Sequence, residues 1–181
     1  SSFEAMRIAV FSDIHANLDS FQACLEDAHS FKPDFRVMLG DYSTAGVDPA
    51  ACWQLAKTQG DLVLQGNHER YLYELYSPLS EPDSHSVWFS LIRWSPQQLS
   101  PSVLEEMRQL PIHGSIPDAQ NLLFVHASLK NDRYSPLPDI TAEDFRQFFS
   151  PTQASLIIRG HNHEFKSFDL GHTRIEQVSS V

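Results

Sequence analysis

The chain has 181 residues, 41% of them hydrophobic, enough to bury one sizeable core but too few for two ordinary domains. Its 23 Asp plus Glu against 13 Lys plus Arg leave a formal charge of -10, the wrong sign for general binding to a nucleic-acid backbone or an anionic membrane. No stretch approaches the roughly 18 apolar residues of a membrane span, and no basic start leads into a long apolar run, so a cytoplasmic location is expected.

Met6 reads as the natural start, behind five leading residues. Arg7 to Ser12 predicts a buried strand, and Leu18 to Phe31 a helix with Leu18, Phe21, Cys24, Leu25 and Ala28 on one face. Phe35 to Leu39 predicts a second strand, Asp48 and Pro49 open a helix to about Thr58, and Leu62 to Leu64 predicts a third strand. This alternation implies parallel pairing at the start of the chain. After Gly66 a helical stretch gives way to a segment punctuated by prolines, read as a helical insert at about 77–117 within a single domain spanning 1–181. Helices are expected there at Val87 to Trp94 and after Ser100-Pro101, the second with Val103, Leu104, Met107 and Leu110 on one face. Trp88, Phe89, Ile92 and Trp94 read as the core of this insert, rather than as a platform for stacking bases. Further strands are expected at Asn121 to Val125, Ser155 to Ile158, Phe165 to Leu170 and Thr173 to Val178, with a helix capped by Thr141 and a hairpin around Gly171. Cys24 and Cys52 sit in apolar helical patterns without paired spacing and are expected to be buried free thiols.

The polar residues that carry chemistry fall where predicted strands end: Asp13 and His15, Gly40-Asp41, Gly66-Asn67-His68-Glu69, His126, and Gly160-His161-Asn162-His163. Ligands of open α/β sheets bind beyond the carboxyl ends of strands, so these five loops can converge on one crevice. Imidazole and carboxylate suit borderline first-row metals, and a carboxylate has two oxygens with which to bridge a pair of ions. On an extended segment alternate residues point the same way, so Asp13 with His15, and His161 with His163, are expected to act as ligand pairs. A glycine just before a ligand allows a tight turn and a close backbone approach.

The ordered pattern D-x-H, G-D, G-N-H-[DE], a later His and G-H-x-H resembles the calcineurin-like metallophosphoesterase superfamily, over Asp13 to His163, about five sixths of the chain. The resemblance implies an α/β fold of the four-layer αββα sandwich type. It implies Asp13, His15 and His163 on a first divalent metal, Asn67, His126 and His161 on a second, and Asp41 bridging them. His68 would not be a ligand; it would face the substrate, binding phosphoryl oxygen or protonating the leaving group. The metals expected are Mn foremost, with Fe, Ni, Co or Zn as alternatives. A metal-bridging hydroxide would attack phosphorus.

One departure bears on substrate. Protein phosphatases of the superfamily continue the second block as G-D-x-x-D-R-G, whereas Gly40-Asp41-Tyr42-Ser43-Thr44-Ala45-Gly46 lacks both the Asp that orients the catalytic His and the Arg that binds phosphate. Arg159, beside Gly160-His161, is a candidate substitute for that Arg, while Arg70 reads as a partner in an ion pair. His29, His113 and His172 lack partners at ligand spacing and are expected to be structural or at the surface; His85 is the one that the insert could bring to a pocket. The reading is therefore a hydrolase of small phosphodiesters, a nucleotide or another low-molecular-weight ester, with no general nucleic-acid or membrane partner. Phosphomonoester, phosphoprotein or dinucleoside polyphosphate hydrolysis are the enzymatic rivals. A catalytically silent scaffold is the rival from another class, set against the burial of several unpaired carboxylates and imidazoles in one crevice.

Overall fold

The computed structural model describes residues 5–74, 86–133, 142–150 and 152–181. Eight strands and six helices occur among them, with a 3-10 turn at Ser95–Gln98. The first sheet is parallel, β1 (Ile8–Phe11), β2 (Phe35–Met38) and β3 (Leu62–Val63) in that order, with α1 (Leu18–Ser30) and α2 (Pro49–Gln59) as its crossovers. The second sheet has the order β4-β5-β6-β8-β7, from β4 (His113–Gly114), β5 (Leu122–Val125), β6 (Leu156–Arg159), β7 (Lys166–Asp169) and β8 (Arg174–Gln177). The pairs β5-β6 and β6-β8 are parallel, while β4 and β7 run antiparallel at the two edges. No described helix is long and apolar enough to cross a membrane.

The period-2 alternation of the strands sorts their side chains into three apolar layers. Ile8 and Val10 of β1, Val37 of β2, and Phe124 and Ile158 of the second sheet meet between the sheets. The other faces of β1 and β2, through Phe11 and Met38, pack with Phe21 of α1 and Cys52, Trp53 and Ala56 of α2. Val125, Ile157 and Ile175 pack on Phe149 of α6 (Ala142–Phe149). Helices, sheet, sheet, helix is the expected four-layer αββα sandwich. Each fully buried Leu, Ile or Phe in these layers contributes about 1.5–3 kcal/mol.

The middle of the chain departs from a purely helical insert. Helices α4 (Val87–Trp94) and α5 (Pro101–Arg108) form where expected, their caps made by Ser86 and Ser100. Leu99 and Met107 are buried in the layer between α1, α2 and the first sheet, so this segment completes the core rather than standing outside it. β4, which has no counterpart in the sequence expectations, lies within 77–117 and pairs with β5. Cys52 is buried and Cys24 half-buried, both as free thiols, and burial pushes the Cys52 thiol up to about 12. The expected Asp48 cap of α2 makes no side-chain hydrogen bond, whereas Asn17, at the corresponding position of α1, accepts one from Ser20 N. The Thr141 cap lies outside the described residues.

Candidate metal centre

The loops that follow β1, β2, β3, β5 and β6 meet at one end of the two sheets, where the backbone itself is stapled. Asp13 N, His15 N and Ala16 N donate to the carbonyls of Gly40, Asp41 and Tyr42, at 3.1, 2.9 and 2.8 Å, and Gly160 N donates to His126 O at 2.9 Å. His161 N reaches across the sheets to Asp13 Oδ2 at 2.9 Å. Asp13, His15, Asp41, His161 and His163 all have left-handed φ, between 49° and 73°. The expectation of extended pairs is therefore corrected: turns, not strand alternation, gather Asp13 with His15 and His161 with His163. Asp and His are among the non-glycine residues that enter this region most readily. Two glycines leave room for the carboxylates, since a Cβ on Gly66 would lie 2.2 Å from Asp41 Oδ1 and one on Gly160 2.7 Å from Asp13 Oδ2.

Donor atoms converge in two groups. His163 Nε2 lies 3.2 Å from His15 Nε2 and 3.1 Å from Asp13 Oδ1, yet that oxygen is buried and accepts no hydrogen bond of good angle. His126 Nε2 lies 3.1 Å from Asn67 Oδ1, 3.3 Å from His161 Nδ1 and 3.3 Å from Asp41 Oδ2. A ring nitrogen has one hydrogen or one lone pair and cannot bond to three neighbours at once, whereas a cation can be shared by all of them. Two nitrogens bound at about 2.0–2.1 Å to one tetrahedral ion stand about 3.3 Å apart, so the donor sets suit such ions. Asp41 Oδ2 also lies 3.9 Å from His15 Nε2, and so faces both groups. His15, Asp41 and His68 form a third set with ligand-capable atoms within 4.8 Å of one another.

Burial and charge pull against each other here. Burial alone would raise Asp41, but His126, His68 and His15 outweigh it and hold the carboxyl well below its usual range. Asp13 is lowered to about 2, against its burial, by His163 and His126 beside it. His126 is raised to about 9 because Asp41 outweighs burial, while burial pushes His68 and His161 down to about 4.

Two residues hold the centre in shape without having been singled out for this in the sequence. Glu69 is wholly buried, and its carboxylate accepts from Asp41 N, Tyr42 N and Gly66 N, each at 2.8 Å, which ties the loop after β2 to the first turn of α3 (Asn67–Tyr73). Burial, then Asp41 beside it, raises Glu69 to about 7. An acid three residues after a helix cap is the signal that marks it. Thr44 stands where the phosphatase pattern has its missing Asp, and Oγ1 lies 2.5 Å from His68 Nδ1. The contact expected to be absent is therefore made, by a neutral hydroxyl in place of a carboxylate.

Arg159 is fully buried, with Nη1 donating to Gln177 Oε1 at 2.7 Å and Nη2 to Asn162 Oδ1 at 3.4 Å, so it offers no exposed guanidinium for the substrate contact considered for it. Arg70 is held by Asp132 at 2.9 and 3.0 Å and by Glu74, the ion pair expected. His29, His113 and His172 are exposed and belong to none of the candidate ligand groups among the described residues, and His85 lies outside those residues. In α4 only Ile92 is buried as core; Trp88 is 43% exposed and sits edge-on to His15 and His68, a correction to its expected packing role. A cavity of about 510 Å³ opens beside it.

A family model for calcineurin-like phosphoesterases matches residues 6–165. An uncharacterized protein of Methanocaldococcus jannaschii is 28% identical over 160 residues, which cover 86% of this chain and 62% of that protein, so the chain spans less than two thirds of this curated relative. A metallophosphoesterase from Sphaerobacter thermophilus superposes with a TM-score of 0.74 at 22% identity, and a hypothetical protein from Pyrococcus horikoshii with 0.79 at 19%. Each superposition covers 98% of this chain and 77% of the other, and shows the shared fold.

Proposed function

The chain belongs to the calcineurin-like phosphoesterase family, and from that premise we propose that it hydrolyses a small phosphodiester, a nucleotide or similar low-molecular-weight ester, with two divalent metal ions. The observation that carries the reading is the position of Asp41, one of whose oxygens faces His15 at 3.9 Å and His126 at 3.3 Å. Asp13, His15 and His163 would hold one ion, Asn67, His126 and His161 the other, and Asp41 both. Bound there, the ions supply positive charge for the phosphoryl oxygens and a nucleophile usable at neutral pH.

The remaining work falls to the chain. Glu69 fixes the backbone amides on either side of the crevice, and so sets the direction of the Asp41 carboxylate. Asp41 Oδ1 accepts from His68 N at 2.9 Å, which leaves Oδ2 free for the ligand groups. With Thr44 Oγ1 against His68 Nδ1, the opposite ring nitrogen, Nε2, is left for the substrate, and to protonate a departing oxygen the ring would have to act as the imidazolium, with Nδ1–H donating to Thr44 Oγ1. With a net charge of -10, the surface favours a small ester over a polyanionic nucleic acid.

The test is turnover of diester, monoester and dinucleoside polyphosphate substrates, before and after chelation and with Mn or a similar ion restored. The expected result is fastest turnover of the diester, loss on chelation and recovery with metal. Activity that persists after elemental analysis shows the metal gone would reject the mechanism, and a clear monoester preference would reject the substrate class.

A further inference from the structure

Helix α4 buries Ile92, and Trp88 lies four residues earlier on the same face of the helix. That face carries Trp88 out of the core and over the crevice, where its ring centroid lies 5.6 Å from that of His15 and 5.8 Å from that of His68. Single exposed aromatics are ordinary. Trp88 differs in bordering the cavity of about 510 Å³ whose other walls include Asp13, His15, His163, Val47 and Leu91. That volume lies in the range of small-molecule sites, about 300–1,000 Å³. Asp19 and Asp48 also line the cavity, and Asp48 is not engaged in capping its helix. Two carboxylates repel a second phosphate and accept from amino and hydroxyl groups. The substrate's anionic centre must therefore lie toward the ligand groups, with a neutral, planar and donor-bearing part toward Trp88.

We propose that Trp88 and this cavity bind the nucleobase, or a comparable aromatic ring, of the ester hydrolysed at the adjoining centre. The proposal rests on the phosphoesterase reading and adds to it an aromatic substrate class with a defined place of binding.

Two measurements on the metal-loaded full chain test it. The first compares KM for a nucleotide methyl diester with KM for the ribose 5-phosphate methyl diester, which keeps the same phosphate surroundings and lacks the base. The wild type should favour the nucleotide about 10-fold in KM, within the range of base stacking on an aromatic side chain. Trp88→Ala should collapse that ratio toward one, and Trp88→Phe should keep most of it. The second follows the indole N–H resonances of the wild type, which requires no variant to fold for the readout itself. The Trp88 resonance should shift on addition of adenosine 5′-monophosphate and stay in place with ribose 5-phosphate. A ratio unchanged by Trp88→Ala, or an indole that ignores the nucleotide, would overturn the proposal while turnover of both diesters left the phosphoesterase reading standing. A metal-loaded wild type that turns over neither diester nor any other phosphoester would overturn that reading, and this proposal with it.

Discussion

The two donor groups share one carboxylate yet meet solvent in different ways. In one, the His126 side chain is wholly buried, Asn67 is 4% exposed and His161 is half-buried; in the other, Asp13 is as deeply buried, but the His163 side chain is 41% exposed and borders the cavity under Trp88. The more buried group grows largely out of regular structure, His126 following β5 directly and Asn67 opening α3, with His161 alone in a left-handed turn. The open group is made of turns with left-handed backbone, pinned by hydrogen bonds from one loop to the next. Burial excludes competing water and fixes side chains before a ligand arrives, so the buried group should hold its ion more firmly, and the open group should exchange its ion and meet the substrate.

Replacing the residue that joins the halves should do the most harm. Asp41→Asn should lower kcat by about 10,000-fold, because charge stabilisation by both ions depends on it. Elemental analysis should show that this variant loses metal. Two tightly held metals in an active Asp41→Asn protein would break the link between the halves.

His68 lies beside both groups, and its replacement separates chemistry from metal binding. His68→Ala should keep nearly normal metal content and lose about 100- to 1,000-fold in kcat on an alkyl or nucleoside ester, with a smaller loss on a nitrophenyl ester. The reason is that a nitrophenolate departs without a proton and an alkoxide does not. Equal losses with both metals in place would assign His68 to binding phosphoryl oxygen. Loss of metal would move it among the ligands, a position the proximity of its ring to His15 and Asp41 allows.

Removing one imidazole from either half is the mildest change. His163→Ala and His126→Ala each remove one imidazole, but after dialysis the first should retain about one metal per chain and the second should retain less, with a lower Tm. Leaving a cavity and unpaired polar atoms inside a core costs more than trimming a half-exposed ring. Equal retention and equal Tm would mean that burial does not distinguish the two halves.

The legible parts of this molecule were those in which one residue type has one reason to stand at one spacing. Continuous apolar runs such as Ile8–Phe11 and Leu122–Val125 mark strands buried on both faces, the layer order comes with the family resemblance, and Gly66 and Gly160 mark close approaches that the carboxylates do require. β4 was invisible because two residues, His113 and Gly114, cannot express a period. The route by which Asp13 meets His15 was misread because left-handed backbone leaves no mark on hydropathy. Trp88 reads as core in the sequence because an apolar stripe on a helix looks the same whether it faces packing or a crevice. Thr44 carries no sequence signal of its role, because the family pattern has a carboxylate at that position, although a hydroxyl makes the same contact to His68 without the charge.

Whether Asp41 stands between two ions held by separate donor groups is read from anomalous scattering of crystals loaded with Mn. Two peaks are expected, one within bonding distance of Asp13, His15 and His163, the other of Asn67, His126 and His161, each also bonded to Asp41. A single peak at full loading, or two peaks of which either does not touch Asp41, would contradict it.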